Sequence, residues 1–144
     1  MKESWEYIKD LQAESKPLDH IPTFCTPYLY KAKLVRVVDG DTVKCNIDLG
    51  FDVCLTNQTL RLYGINAPES RTRDKEEKVR GLAAKARLKE LLKENKNKFF
   101  IESHDKGKFG RILATIWSDE FMLVSVNHVL VREGHAVEYF GGKR

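Results

Sequence analysis

Residues 30–49, YKAKLVRVVDGDTVKCNIDL, alternate apolar and polar side chains on both sides of Asp39-Gly40-Asp41. With a period of two, successive side chains face opposite ways, so each arm can bury one face and wet the other. Asp-Gly is a turn pair, because glycine accepts the backbone angles of a tight reversal. The stretch predicts a β-hairpin or a tightly bent strand pair. Leu34, Val35, Val37 and Val38 lie before the turn, and Val43, Cys45, Ile47 and Leu49 after it.

A third strand is predicted at about Thr59–Gly64. The following INAPES is read as a loop, since Pro68 fixes φ and removes a backbone donor. Residues 75–95 give the clearest helix, with Ala84, Leu88, Leu91 and Leu92 forming an apolar stripe at helical spacing. Its flanks are basic: residues 71–98 hold 11 Lys and Arg against 5 Asp and Glu. Strands at Lys98–Ser103 and Arg111–Trp117 follow, joined by a basic turn over 104–110. A second helix spans Val126–Arg132 and is closed by Gly134. The order β-β-β-α-β-β-α is an α+β pattern. It predicts an OB-type five-stranded β-barrel with packed helices.

Ahead of the barrel, residues 1–15 read as a short amphipathic helix, with Trp5, Ile8 and Leu11 or Gln12 at helical spacing. Pro17, Pro22 and Pro27 make 16–29 an extended connector. The chain thus divides into an arm over residues 1–30 and a domain over 31–144. The arm carries 3 lysines against 5 acids, the domain 22 basic against 16 acidic residues. A basic module with an acidic arm fits a polyanionic partner such as nucleic acid. The arm either docks on the domain, where it can inhibit the basic cleft, or binds a protein partner.

Apolar residues make up 42% of the 144 and charged residues 32%, which suits a soluble globular domain and excludes a disordered chain. No apolar run approaches the roughly 18 residues a membrane helix needs. The charged start, MKESWEYIKD, has no apolar core for secretion, so a cytoplasmic location is expected. Cys25, Cys45 and Cys54 are odd in number and lack zinc spacing, which reads as reduced apolar side chains. A Cys45–Cys54 bridge across a hairpin is the minor alternative.

Six polar residues stand out. Asp39 and Asp41 flank a glycine, where two carboxylates can bind a hard cation or simply cap a turn. Arg61 sits between Leu60 and Leu62, on a solvated strand face or in a barrel-mouth cleft. Asn66 and Glu69 lie on the proline loop, as oxygen ligand or Asx turn and as general base or helix-start carboxylate. Arg111 ends KGKFGR, a phosphate cradle or a basic turn. Each has an ordinary structural reading. Together they are the parts needed to hydrolyse a phosphodiester: a cation site and two arginines to offset transition-state charge, and a carboxylate to deprotonate water. Arginine suits the task because its planar fork binds two phosphate oxygens and stays charged.

Residues 31 to about 140 resemble the staphylococcal nuclease (thermonuclease) family. The shared stretches are VVDGDTV (37–43), RLYGINAPE (61–69), KFGR (108–111) and VNHVLVREGHA (126–136), in that order with a helix between the second and third. The resemblance implies an OB-type barrel and calcium, or another divalent metal, as cofactor. It makes Asp41 a calcium ligand, Asp39 its neighbour beyond the ligands, and Ala67 a backbone-carbonyl donor. Arg61 and Arg111 correspond to the arginines that bind the scissile phosphate, and Glu69 to the catalytic glutamate. Lys108 and Phe109 correspond to a Lys-Tyr pair on a terminal phosphate, and Tyr139 or Phe140 to a nucleotide-stacking tyrosine.

Three departures matter. Asn66 stands where the best-known member has a calcium-ligating Asp, so weaker metal affinity is expected. Phe109 replaces a tyrosine and loses a hydroxyl. The chain ends at Arg144, where longer members add a C-terminal helix, and the arm is expected to cover that surface. Compact nucleases of this kind are often encoded by phages and plasmids.

The expected activity is calcium-dependent hydrolysis of DNA and RNA with little sequence preference, leaving 3′-phosphate ends, by a monomer without membrane contact. The alternative is a catalytically weakened nucleic-acid-binding or adaptor module of the same fold. Retention of Asp41, Arg61, Glu69 and Arg111 favours the enzyme.

Overall fold

The structure, a computed structural model, describes residues 28–106, 110–118 and 124–140. The expected 1–15 helix, most of the connector, Cys25, Lys108 and Phe109 lie outside the described residues.

The predicted hairpin is formed by β1 (Leu29–Asp39) and β2 (Thr42–Gly50). β1 takes in Leu29 and Tyr30, ahead of the boundary drawn at residue 31. Ala32 and Val37, an odd number of positions apart, both reach the core. A bulge between Leu34 and Arg36 makes this work: Leu34 pairs with Cys45 and Arg36 with Lys44, leaving Val35 unpaired and half exposed. One extra residue on one strand reverses the alternation.

β3 (Val53–Leu62) starts six residues earlier than expected. Its first five residues are exposed, so no alternation of burial marks them. They are strand because β2 templates them, with Ile47 opposite Leu55 and Asp48 opposite Cys54. Cys45 therefore faces Gln58 rather than Cys54, and both of these thiols are free. A two-residue β4 (Ile65–Asn66) pairs with β7 (Val137–Glu138), so the start of INAPES is strand, not loop. Two residues are too few to show a period.

β5 (Lys98–Lys106) and β6 (Ile112–Trp117) complete a closed barrel in the order β1-β2-β3-β6-β5. β5 extends three residues past the predicted strand, into the stretch read as a turn. β6 runs parallel to β3, and β1 closes against β5 from Leu29–Glu102 to Lys33–Lys98. This is the five-stranded OB-type barrel predicted from the strand order, in an α+β fold.

α1 (Lys75–Lys93) begins at Asp74, whose side chain accepts the amides of Glu76 and Glu77. It ends where Lys96 and Asn97 adopt positive φ. Gly81, Ala84, Leu88 and Leu92 form its buried stripe, with Leu91 at the edge. α2 (Val126–Arg132) has the bounds and the closing Gly134, at φ 81°, that the sequence indicated, and is capped by Ser125, which the sequence reading had not singled out. The core is the barrel interior plus these helix faces, including Val43, Cys45, Leu60, Leu88, Ile116 and Leu130. Among the described residues, no helix is long and apolar enough to cross a membrane.

Candidate active site

Asp41 closes the β1–β2 turn. Its backbone carbonyl accepts the Leu62 amide at 2.8 Å, tying the turn to the end of β3. Its carboxylate is buried, at 6% exposure for the residue. A charge so placed must be compensated. Oδ2 accepts the Ala67 amide at 2.8 Å and lies 3.3 Å from Arg61 Nη2, while Oδ1 accepts the Thr42 hydroxyl at 2.9 Å.

Arg61 reaches Asp41 because Leu60 and Leu62 face the barrel interior and the intervening side chain must face outward. Its Nη1 donates to the Leu62 carbonyl at 3.1 Å, and its Nη2 donates to Asn66 Oδ1 at 3.3 Å. Asn66 is delivered by Gly64, at φ 78°, and by the β4–β7 pairing. Asp41, Arg61, Asn66 and Ala67 are thus brought together. The contact seen at Ala67 uses its amide, whereas the resemblance pointed to its carbonyl.

Asp39 faces the same loop from the other side of Gly40. Its Oδ1 accepts the Ser70 amide at 3.2 Å and also the Ser70 hydroxyl. Glu69 lies between these anchored neighbours and is exposed. Its amide donates to Glu77 Oε1 at 3.4 Å. Arg111, half-buried, immediately precedes β6. Arg61 is paired with Leu113 across the parallel β3–β6 ladder, so the two-residue period puts position 111 on the face that carries Arg61.

The Tyr139 amide donates to the Gly64 carbonyl at 2.8 Å, fixing the chain beyond β7. Phe140 is exposed and lies against Gly64, where a Cβ would come within 2.8 Å of its ring. Its ring meets Tyr63 edge-on at 5.6 Å, and Tyr63 stacks on His104 at 4.1 Å. Tyr63, His104 and Ser70 were missed by sequence reasoning. Tyr63 shares the outward phase of Arg61, which was an available signal; Ser70 and His104 had none.

The oxygens available to a cation are few. Among the described residues, no three His, Cys, Asp or Glu side chains cluster as a metal site. The Asp41 carboxylate and the Asn66 amide oxygen instead converge on one cationic point, each 3.3 Å from Arg61 Nη2. A carboxylate and an amide oxygen are hard donors of the type that calcium takes. A cleft of about 510 Å³ adjoins this centre, lined by Asn66, Ala67, Glu77, Arg80 and His135 among others. It reaches Asn66 and Ala67 but not Asp41, Arg61 or Glu69.

The fold is a small OB-type barrel domain, closed by five strands, with a carboxylate–guanidinium pair where β3 leaves the barrel. Residues 59–144 match the family model described as "Staphylococcal nuclease homologue". The thermonuclease of Staphylococcus hyicus is 30% identical over 104 residues, covering 72% of this chain. The chain spans 56% of the length of that curated relative. The chain belongs to the staphylococcal nuclease family.

Proposed function

We propose that the protein is a metal-dependent phosphodiesterase that hydrolyses DNA and RNA with little sequence preference. The observation that carries this reading is the convergence of Asp41, Arg61 and Asn66 at the foot of the loop that bears Glu69. Arg61 and Arg111 bind the non-bridging oxygens of the scissile phosphate and offset the charge that grows on the pentavalent transition state. Glu69 takes the proton from the attacking water. The P–O5′ bond breaks and a 3′-phosphate remains, as the family resemblance implies. Asp41 and Asn66, with the Ala67 main chain, would hold a calcium ion. Bound there, it would add positive charge beside the phosphate. Lys108 contacts a terminal phosphate of the substrate, and Phe109, with Tyr139 or Phe140, stacks unpaired bases.

The test is cleavage of single-stranded DNA, with calcium and with chelator, by the wild type beside Glu69→Gln. Cleavage should require the metal and fall about 10²- to 10⁴-fold in the variant. Asn66→Asp should lower the calcium concentration needed, because it restores a negative ligand. Asn66 also supports a second reading, a nucleic-acid-binding adaptor of the same fold. Salt-sensitive binding without cleavage in calcium, magnesium or manganese would favour that reading.

A further inference from the structure

The Asp39-Gly40-Asp41 turn grips the loop that carries Glu69 at two points. On the N-terminal side Asp41 Oδ2 accepts the Ala67 amide at 2.8 Å. On the C-terminal side Asp39 Oδ1 accepts both the amide and the hydroxyl of Ser70. Ser70 is 4% exposed, so its hydroxyl is satisfied by protein rather than by bulk water. The third side is closed by α1. A Cβ on Gly81 would lie 2.3 Å from the Glu69 carbonyl oxygen and 2.7 Å from the Ser70 nitrogen, so helix and loop meet backbone to backbone. A Cβ on Gly40 would lie 2.6 Å from Ala84 Cβ, so the same helix presses on the turn.

The main chain on both sides of Glu69 is therefore held while its carboxylate projects from an exposed position. A general base on a loop is only as well aimed as its backbone, and a misplacement of about 1 Å costs on the order of 10²-fold in rate. We propose that Ser70 and Asp39 are positioning residues for Glu69. The Asp39–Ser70 link sets where the base stands, and Asp39 acts through this loop rather than on a metal. The inference rests on the proposed role of Glu69 as the base, and it deepens that reading.

The test joins steady-state kinetics on a single-stranded oligonucleotide to amide hydrogen exchange, both on the full chain. Ser70→Ala should lower kcat about 10- to 100-fold, leave KM within about twofold and keep the thermal midpoint near that of the wild type. Ser70→Thr keeps the hydroxyl and should restore most of kcat. Asp39→Ala should cost at least as much as Ser70→Ala, and the double variant no more than Asp39→Ala alone, because the pair acts as a unit. Exchange at the Ser70 amide should speed about tenfold or more in Asp39→Ala, with the core amide of Leu60 unchanged. An unchanged kcat in Ser70→Ala, additive losses, or a kcat loss that tracks lost stability without rescue by Thr would overturn the proposal. A wild type that cuts nothing overturns the nuclease reading instead. The exchange result then decides on its own whether the link holds the loop, and unaltered Ser70 exchange in Asp39→Ala overturns that too.

Discussion

Arg61 reaches several acceptors with one guanidinium, among them the carboxylate and the carbonyl of Asp41, the Leu62 carbonyl and the Asn66 amide oxygen. A lysine there would present one point charge and lose the planar fork, so the replacement is not conservative. Burial acts differently on Cys45, whose thiol is pushed from its ordinary 9.0 up to about 12 because the charged form is poorly solvated in the core. In the unfolded chain the thiol releases its proton near 9.0, whereas the folded chain keeps it to about 12. The unfolded state then binds fewer protons, so this residue's contribution is intact below pH 9 and is lost as pH rises toward 12. The loss approaches about 1.4 kcal/mol per pH unit. Urea midpoints measured from pH 8 to 10.5 should therefore decline less steeply in Cys45→Val than in the wild type. Equal slopes would refute the assignment.

Asn127 shows what one helix residue does for the strands beneath it. It is buried, its Nδ2 donates to the Tyr63 and Ala114 carbonyls at 2.8 and 3.3 Å, and its Oδ1 accepts the Ile116 amide at 3.0 Å. α2 is thus pinned where β3 and β6 run side by side. Asn127→Ala removes the partner of the Tyr63 carbonyl and of the Ile116 amide, while the Ala114 carbonyl keeps the Tyr63 amide at 2.8 Å, and should cost about 2–4 kcal/mol in urea denaturation. Asn127→Asp keeps the acceptor but loses the donors, and should also destabilise. A loss below about 1 kcal/mol for Asn127→Ala would mean that water replaces the carboxamide. α1 works by smallness: Gly81 and Ala84 let it approach the loop and the turn, which outweighs glycine's poor helix propensity of about 1 kcal/mol. The two helices are also joined by Arg87, whose Nε donates to both Glu133 oxygens at 2.7 and 3.0 Å. Hydrogen bonding in this pair raises the Arg87 pKa and lowers that of Glu133.

At the scale of the molecule, 22 basic residues against 16 acidic ones after residue 30 set a positive field around the barrel. If the proposed substrate binds there, counterions would be released, and log K should fall linearly with log salt at about −0.7 per phosphate neutralised. For a strand neutralised by roughly five of these basic residues the slope is about −3 to −4. Fluorescence anisotropy with a labelled oligonucleotide in calcium, using Glu69→Gln to prevent cleavage, would read it. A slope near zero would exclude the basic face as the binding surface.

Local signals carried much of this architecture. The period-two run around Asp39-Gly40-Asp41 specified the first hairpin, and the apolar spacing from Ala84 to Leu92 specified α1. The span Val126–Arg132, closed by Gly134, bounded α2, while the Ser125 cap emerged only in the structure. Those devices act over one or two turns of chain, so they can be read in order. Asp41, Arg61, Asn66 and Glu69 stood out in the sequence as polar side chains on or beside apolar strand, but each had an ordinary reading as well, and their roles came only from the family resemblance. Other features depend on residues far apart in the chain: the early start of β3, the β4–β7 pair, the parallel β3–β6 ladder and closure of β1 on β5. So do the engagement of Asp39 by Ser70 and the backbone contact at Gly81. No periodic pattern encodes a partner, because a hydrogen bond or close contact between distant residues exists only once the fold has set their separation. The tertiary structure alone decided that Asp39 holds the loop while Asp41 holds the arginine.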